Sequence, residues 1–205
     1  GIEKFVHMAP IIKSFGASVI VGCIDEDKEQ AQAITRERKS EIAKRSFDLL
    51  TNKFGLNEND IIFDPLTFPI GTGVLNYMKS AEETIEGIKL IKKELPTSKI
   101  ILGISNVSFG LPTNGREVLN SVMLNHCLNA GLDYAIVNTQ NLKRFNSLSD
   151  DEINLSNELI FNNSQEALDE FVDFFRSTPV NKTIKANIPW DLFLKESVIN
   201  GSKNK

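Results

Sequence analysis

Apolar positions along the chain alternate between two periods, and the alternation itself predicts a layered fold. Residues 4–15 place Phe5, Met8, Ala9, Ile12 and Phe15 at helical spacing, and Gly16 stops the pattern. SVIVGCI (18–24) follows, a β-branched run without polar alternation, as expected for a strand buried on both faces of a parallel sheet. It ends at Asp25-Glu26-Asp27. A polar-rich helix is predicted over 28–54, with Ile42, Ala43, Phe47, Leu50 and Phe54 on one side and Gly55 as its cap. The cycle then recurs. DIIFD (60–64) is a strand closed by Asp64-Pro65, 66–73 a loop, and 79–95 a helix carrying Ala81, Ile85, Ile88, Ile91 and Leu95. KIILGIS (99–105) leads to Asn106, a loop over 107–115 and a helix over 116–130 that Gly131 ends. DYAIVN (133–138) is the fourth strand. Ser149 and Glu152 fit a capping box, and Ser164 opens a last helix with Leu168, Phe171, Val172 and Phe175 facing inward.

Four strand–loop–helix units imply a parallel α/β sheet. The pattern alone leaves an open doubly wound sheet and a closed (β/α)8 barrel as alternatives. After Ser177 the composition shifts towards lysine. Residues 178–189 read as a linker, and 190–205 as the first helix of something else.

Composition narrows the functions. In 205 residues, 41% are hydrophobic, enough for a packed core. A net charge of -4 argues against a nucleic-acid partner. No apolar run reaches the roughly 18–20 residues that span a bilayer. Two cysteines, Cys23 and Cys127, give no disulfide framework and suit a reducing, cytoplasmic compartment. Neither has a CxxC or a histidine at metal-ligand spacing, so no metal site is expected. Gly71-Thr72-Gly73 lacks the spacing of a phosphate loop. His126 reads as a helix-packing residue, and Arg36 and Arg38 as the start of a charged, solvated helix face.

In parallel α/β folds, functional groups collect at the carboxyl ends of the strands. Asp25, Asp64, Asn106 and Asn138 stand there, and Arg116 follows the 107–115 loop. Two carboxylates and two amides suit a flat, hydrogen-bonding ligand. Asp64 can accept two parallel bonds from a guanidine-like N–H fork, and equally reads as a turn aspartate before proline. Asn106 can donate and accept at once, and also reads as a loop asparagine bonding its own backbone. Asp25 and Asn138 read as solvated turn starts as readily as ligands, and Arg116 as an ordinary first-turn helix residue.

DIIFDPLTFPIGTG, ILGISNVSFGLP followed by REVLNSVMLNHCLNAGLDYAIVN, and TRERKSEIAKRSFDLLTNKFG resemble the pterin-binding modules of the cobalamin-dependent methionine synthase family. The resemblance covers roughly 1–177. The tail IPWDLFLKESVINGSKNK is similar to the stretch leading into that family's cobalamin-binding module, which separates it from dihydropteroate synthases and from methyltransferases acting on corrinoid proteins. Those relatives, and a non-catalytic pterin-binding or interaction fragment, are the alternative readings. The resemblance implies a (β/α)8 TIM barrel, with this chain supplying about its last four units. It further implies methyltetrahydrofolate as substrate, methyl transfer to cob(I)alamin and then to homocysteine, and cobalamin and zinc held by other modules of a larger chain. Asp64 matches the family aspartate that grips the pterin amino edge, and Asn106 the asparagine near the methylated ring nitrogen, the expected catalytic group. Arg116 falls near a pterin-site arginine; Asp25 and Asn138 are rim positions. On this reading both ends are cut within a larger protein, and the piece alone is inactive.

Overall fold

The strands form because β-branched and aromatic residues cluster in short runs, and the helices because apolar residues return every three or four positions. The structure, a computed structural model, describes residues 2–25, 32–140, 142–162 and 164–177. The expected linker 178–189 and the helix expected over 190–205 lie outside the described residues. The order is α1 (Ile2–Phe15), β1 (Val19–Gly22), α2 (Arg36–Asp48), β2 (Ile61–Asp64), α3 (Ser80–Glu94), β3 (Lys99–Gly103), α4 (Thr113–Ala130), β4 (Tyr134–Ile136), α5 (Asp150–Phe161) and α6 (Gln165–Ser177).

The four strands make one parallel sheet in the order β1-β2-β3-β4. Every neighbour in the sheet is a neighbour in sequence, which is the winding of a barrel rather than of a doubly wound sheet, whose order reverses at a switch point. Register alternates the side chains between two faces. Val19 pairs with Ile61, Val21 with Phe63, and Phe63 with Ile100, so these residues share one face with Leu102. The helices pack there, and Val21, Ile61, Phe63, Ile100 and Leu102 are buried. The other face carries Ile20, Gly22, Ile62, Asp64, Ile101 and Gly103. It is only partly covered, and Ile20, Tyr134 and Ile136 stand exposed. Burial on both faces, expected from the unbroken apolar runs, is therefore found on one face in β1–β3, while β4 is exposed at all three positions.

Several element boundaries move, and β1 and β3 each end short of the apolar runs 18–24 and 99–105. Residues 32–34 are not helical and Thr35 caps α2 by accepting from Arg38 N–H, so the expected helix start at 28 is not met. The described part of that segment begins at Arg36 and runs on as a π-turn over Leu49–Lys53. Second, α4 begins at Thr113, directly after Pro112, and takes in Gly115, which the sequence pattern assigned to the loop. Third, β4 shrinks to three residues. The capping box at Ser149 and Glu152 is present in full.

Candidate functional site

Asp64 closes β2 on the open face of the sheet, where Gly22 of β1 pairs with it in register. Gly103 of β3 lies on the same face. A Cβ at Gly103 would meet nothing within 4 Å, and one at Gly22 only the Ile24 side chain. By the same register Ile101 of β3 stands opposite Asp64 and Gly103 one step beyond it, so bare backbone lies beside the carboxylate at Gly22 and further along the face at Gly103, room that admits a flat ring at close approach.

The turn after Asp64 is unusual. Leu66 has φ 59, the one positive φ of a non-glycine residue among the described residues. For a leucine that left-handed backbone is strained and must be held by its surroundings. Leu66 N–H donates to Asp64 Oδ1 at 2.9 Å, and Leu66 C=O accepts from Thr84 Oγ1 at 2.9 Å and from Lys39 Nζ at 3.0 Å. Lys39 Nζ also donates to Pro65 C=O at 2.7 Å. Further on, Phe68 N–H donates to Ser80 Oγ at 2.8 Å. Burial pushes the Asp64 carboxyl above the usual carboxylate range, while the Leu66 N–H and the Lys39 cation pull the other way.

Asn106 sits in the 3₁₀ turn Ile104–Ser108 after β3 and is exposed. Its Nδ2 donates to Thr67 C=O, so its loop is stitched to the turn that carries Asp64. Among the described residues its Oδ1 has no partner, which leaves an acceptor for a ligand. Sequence reasoning allowed that this asparagine would bond its own backbone; it bonds the neighbouring loop instead.

Arg116 and Asn138 are brought together elsewhere on the same rim. They line a cavity of about 300 Å³ with Ile104, Ser105, Glu117 and Asn120. Arg116 Nε donates to Ser108 Oγ at 3.2 Å, which ties the arginine to the Asn106 turn. Asn138 Oδ1 accepts from Gln140 N–H at 3.1 Å, a local turn bond of the kind that the plainer reading of this residue describes. Asn120 Oδ1 is buried in this wall without a partner among the described residues. Nothing in the sequence pattern singled it out.

Asp25 stands apart. Arg38 Nε and Nη2 reach its two oxygens at 2.7 and 2.8 Å, a two-point ion pair that already engages both. Arg38 is thus a partner of the rim rather than a purely solvated charge. Arg36 bridges α2 to Glu82 and Glu83 of α3. Lys39, buried beneath the site, was missed as well. The available signal was register: Lys39 falls on the same stripe as Ile42, Ala43 and Leu50.

The outer layer takes the remaining candidates. His126 hydrogen-bonds Asn157 of α5 at 2.8 Å and meets Phe161 edge-on, the packing role expected for it. Cys23 and Cys127 are free and buried, each thiol pushed up to about 12 by burial. No cluster of His, Cys, Asp or Glu among the described residues is arranged to hold a metal ion. Among them, no helix is long and apolar enough to cross a membrane.

Residues 1–138, which contain all five candidate residues, match the family described as "Pterin binding enzyme". Over 98% of its length the chain is 33% identical to methionine synthase of Mycobacterium tuberculosis and 34% identical to that of Mycobacterium leprae. It spans 17% of the length of each of these relatives. The four-stranded parallel arc has the form of a partial TIM barrel, the fold of the matched family. With Asp64 and Asn106 on its open rim and the sequence match spanning both, the chain belongs to the pterin binding enzyme family.

Proposed function

We propose that this chain holds methyltetrahydrofolate for methyl transfer to cob(I)alamin, as part of a cytoplasmic cobalamin-dependent methionine synthase that methylates homocysteine. The observation that carries the reading is the half-buried carboxylate of Asp64, with bare backbone in register at Gly22 and one step along the same face at Gly103. A reduced pterin is flat and presents a guanidine-like N–H edge. An ionised carboxylate is the acceptor that matches such an edge at two points. Asp64 Oδ1 keeps a second lone pair after accepting from Leu66 N–H, and Oδ2 makes no other bond among the described residues.

Asn106 is the proposed catalytic group. A tertiary amine carrying a methyl group leaves poorly unless its nitrogen is protonated. The free Oδ1 of Asn106 can accept from the protonated nitrogen, and rotation of the amide offers an N–H to the neutral amine once the methyl has gone. Such a group stabilises the charge developed on the nitrogen more than the ground state. Arg116, Asn138 and the cavity between them would take the part of the substrate that extends beyond the ring. Asp25, already paired with Arg38, contributes to the rim rather than to a direct contact.

A corrinoid supplies the nucleophilic metal in this chemistry. The described rim offers no histidine to ligate it, and His126 is committed to Asn157, so the residues present do not fit a cobalt site. The corrinoid, and the zinc that activates a thiol, belong to other modules on this reading. The 205 residues alone are expected to be inactive; methyl transfer from methyltetrahydrofolate to free cob(I)alamin by them would refute this.

The site itself is tested by titrating methyltetrahydrofolate against the full-length gene product and its Asp64→Asn variant. The asparagine keeps an acceptor for Leu66 N–H but loses the charge and the second carboxylate oxygen. A charged hydrogen bond is worth about 1.5–3 kcal/mol, so affinity should fall roughly 10- to 100-fold. Equal affinity would remove Asp64 from the site.

A further inference from the structure

Lys39 is a lysine with no exposed surface. Lysines are almost never buried so completely unless the ammonium is paired or hydrogen-bonded. It lies on α2, one turn ahead of Ala43, and its stem passes through the layer between α2 and α3. Room for that stem is made by Gly87 in the middle of α3. A Cβ there would stand 3.0 Å from Lys39 Cδ. Glycine in a helix interior is unfavourable, so the packing of this stem is bought with helix propensity. At its tip, Nζ donates to Pro65 C=O and Leu66 C=O and lies 5.5 Å from the centre of the Phe68 ring. Three successive contacts of one ammonium therefore span the turn that follows Asp64.

We propose that Lys39 is the positioning residue for Asp64: its ammonium clamps the strained turn at Leu66 and supplies the buried cation that keeps the Asp64 carboxylate ionised for the substrate's N–H edge. This rests on the reading of Asp64 as the pterin-edge acceptor. Lys39 itself touches no substrate.

The charges around the clamp fix what a titration would report. Cys23 of β1, Asp64 of β2 and Glu83 of α3 all act on Lys39. Burial lowers the Lys39 ammonium to about 8, against the pull of those three groups, so it is charged at neutral and acid pH. The Cys23 thiol, pushed up to about 12, stays neutral over the same range. Burial works to raise the Glu83 carboxyl, but the Arg36 guanidinium outweighs it and holds that carboxyl below the usual range. On the acid side, Asp64 is thus the group of this cluster that changes charge first as pH falls. Its own pull downward comes from the Leu66 N–H and from Lys39. Removing the cation must raise the pH at which Asp64 takes up a proton.

The experiment measures methyltetrahydrofolate affinity of the full-length gene product from acid to neutral pH, for the parent, Lys39→Met, Thr84→Val and Asp64→Asn. Binding should weaken as pH falls through the Asp64 titration. In Lys39→Met the affinity at neutral pH should drop about tenfold and the acid limb should move to higher pH. Thr84→Val deletes a bond to the same Leu66 carbonyl without touching charge, so its acid limb should stay with the parent's. A Lys39→Met limb that coincides with the parent's overturns the proposal, whatever happens to thermal stability. If Lys39→Met does not fold, Gly87→Ala presses a methyl against the lysine stem with every polar group retained. It should give a smaller shift in the same direction, and no shift overturns the proposal. The two readings fail separately. Parent-like binding by Asp64→Asn defeats the pterin site itself, whereas a defective Asp64→Asn beside a parent-like Lys39→Met defeats the clamp alone.

Discussion

Gly103 separates what the site needs from what the fold needs. It has ordinary extended backbone, φ -79 and ψ 96, and an added Cβ would touch nothing. A valine there should leave stability unchanged or raise it by up to about 1 kcal/mol, since β-branched residues suit strands better than glycine. The same isopropyl group would stand on the face that carries Asp64 and fill the room one step along it. Gly103→Val should therefore melt no lower than the parent while binding methyltetrahydrofolate at least about tenfold more weakly, a loss of about 1.4 kcal/mol. Parent-like affinity would mean that no ring lies over β3. At this scale the sequence pattern singles out polar residues at strand ends as candidates. Asp64 and Asn106 were visible because an acid before proline and an amide after an apolar run are conspicuous. Lys39 was not, because composition treats every lysine as solvated, and only its register with Ile42 and Ala43 points inward. The split between the Asp64–Asn106 pair and the Arg116–Asn138 cavity was also invisible, because it depends on how two loops cross.

Between elements, α6 meets α4 in a close fit at Gly115. Phe171 and Phe175 pack with ring centres 4.6 Å apart, and a Cβ at Gly115 would come within 2.8 Å of Phe171 and 3.0 Å of Phe175. Gly115→Ala sets two effects against each other. Alanine favours a helix by roughly 0.5–1 kcal/mol over glycine. Overpacking a filled contact typically costs 1–3 kcal/mol. Both rings belong to side chains that are buried, so neither can swing aside into solvent, and the clash should win. Thermal or denaturant unfolding should show a net loss of about 1–2 kcal/mol; a more stable variant would show that α6 can slide. This contact also explains why the start of α4 was misplaced in the sequence reading. Asn-Gly after Thr looks like a turn, yet the glycine is there to seat two phenylalanines and the helix runs straight through it. The segment ahead of α2 shows the converse. Its polar residues are compatible with a helix, but Thr35 supplies the cap that fixes the start of α2 at Arg36 rather than at 28.

For the molecule as a whole, the question is what an arc of four parallel strands does with its two ends. Among the described residues β1 pairs only with β2 and β4 only with β3, so each end presents an unpaired row of backbone groups. Apolar side chains stand beside both rows: Ile20 is 56% exposed, Tyr134 49% and Ile136 60%. Parallel sheets are normally covered on both faces, and open apolar edges are templates for further pairing. The apolar runs announced these strands from sequence, since β-branched residues cluster wherever a strand will be covered. They could not announce which layer covers each face, because burial by helices and burial inside a barrel select the same residues. The physical consequence is specific. The 205 residues made alone should self-associate, β4 of one copy offering its edge to β1 of another in a parallel sense that continues the sheet. Sedimentation across micromolar to millimolar concentration, where unpaired edges drive association, should show mass rising with concentration. Combining Ile20→Lys with Ile136→Lys places a charge on each exposed edge without touching a buried residue, and it should return the chain to a monomer. If the parent chain stays monomeric over that range, the edges are shielded and the arc is stable as it stands; if it associates and the double variant associates equally, the contact lies away from β1 and β4.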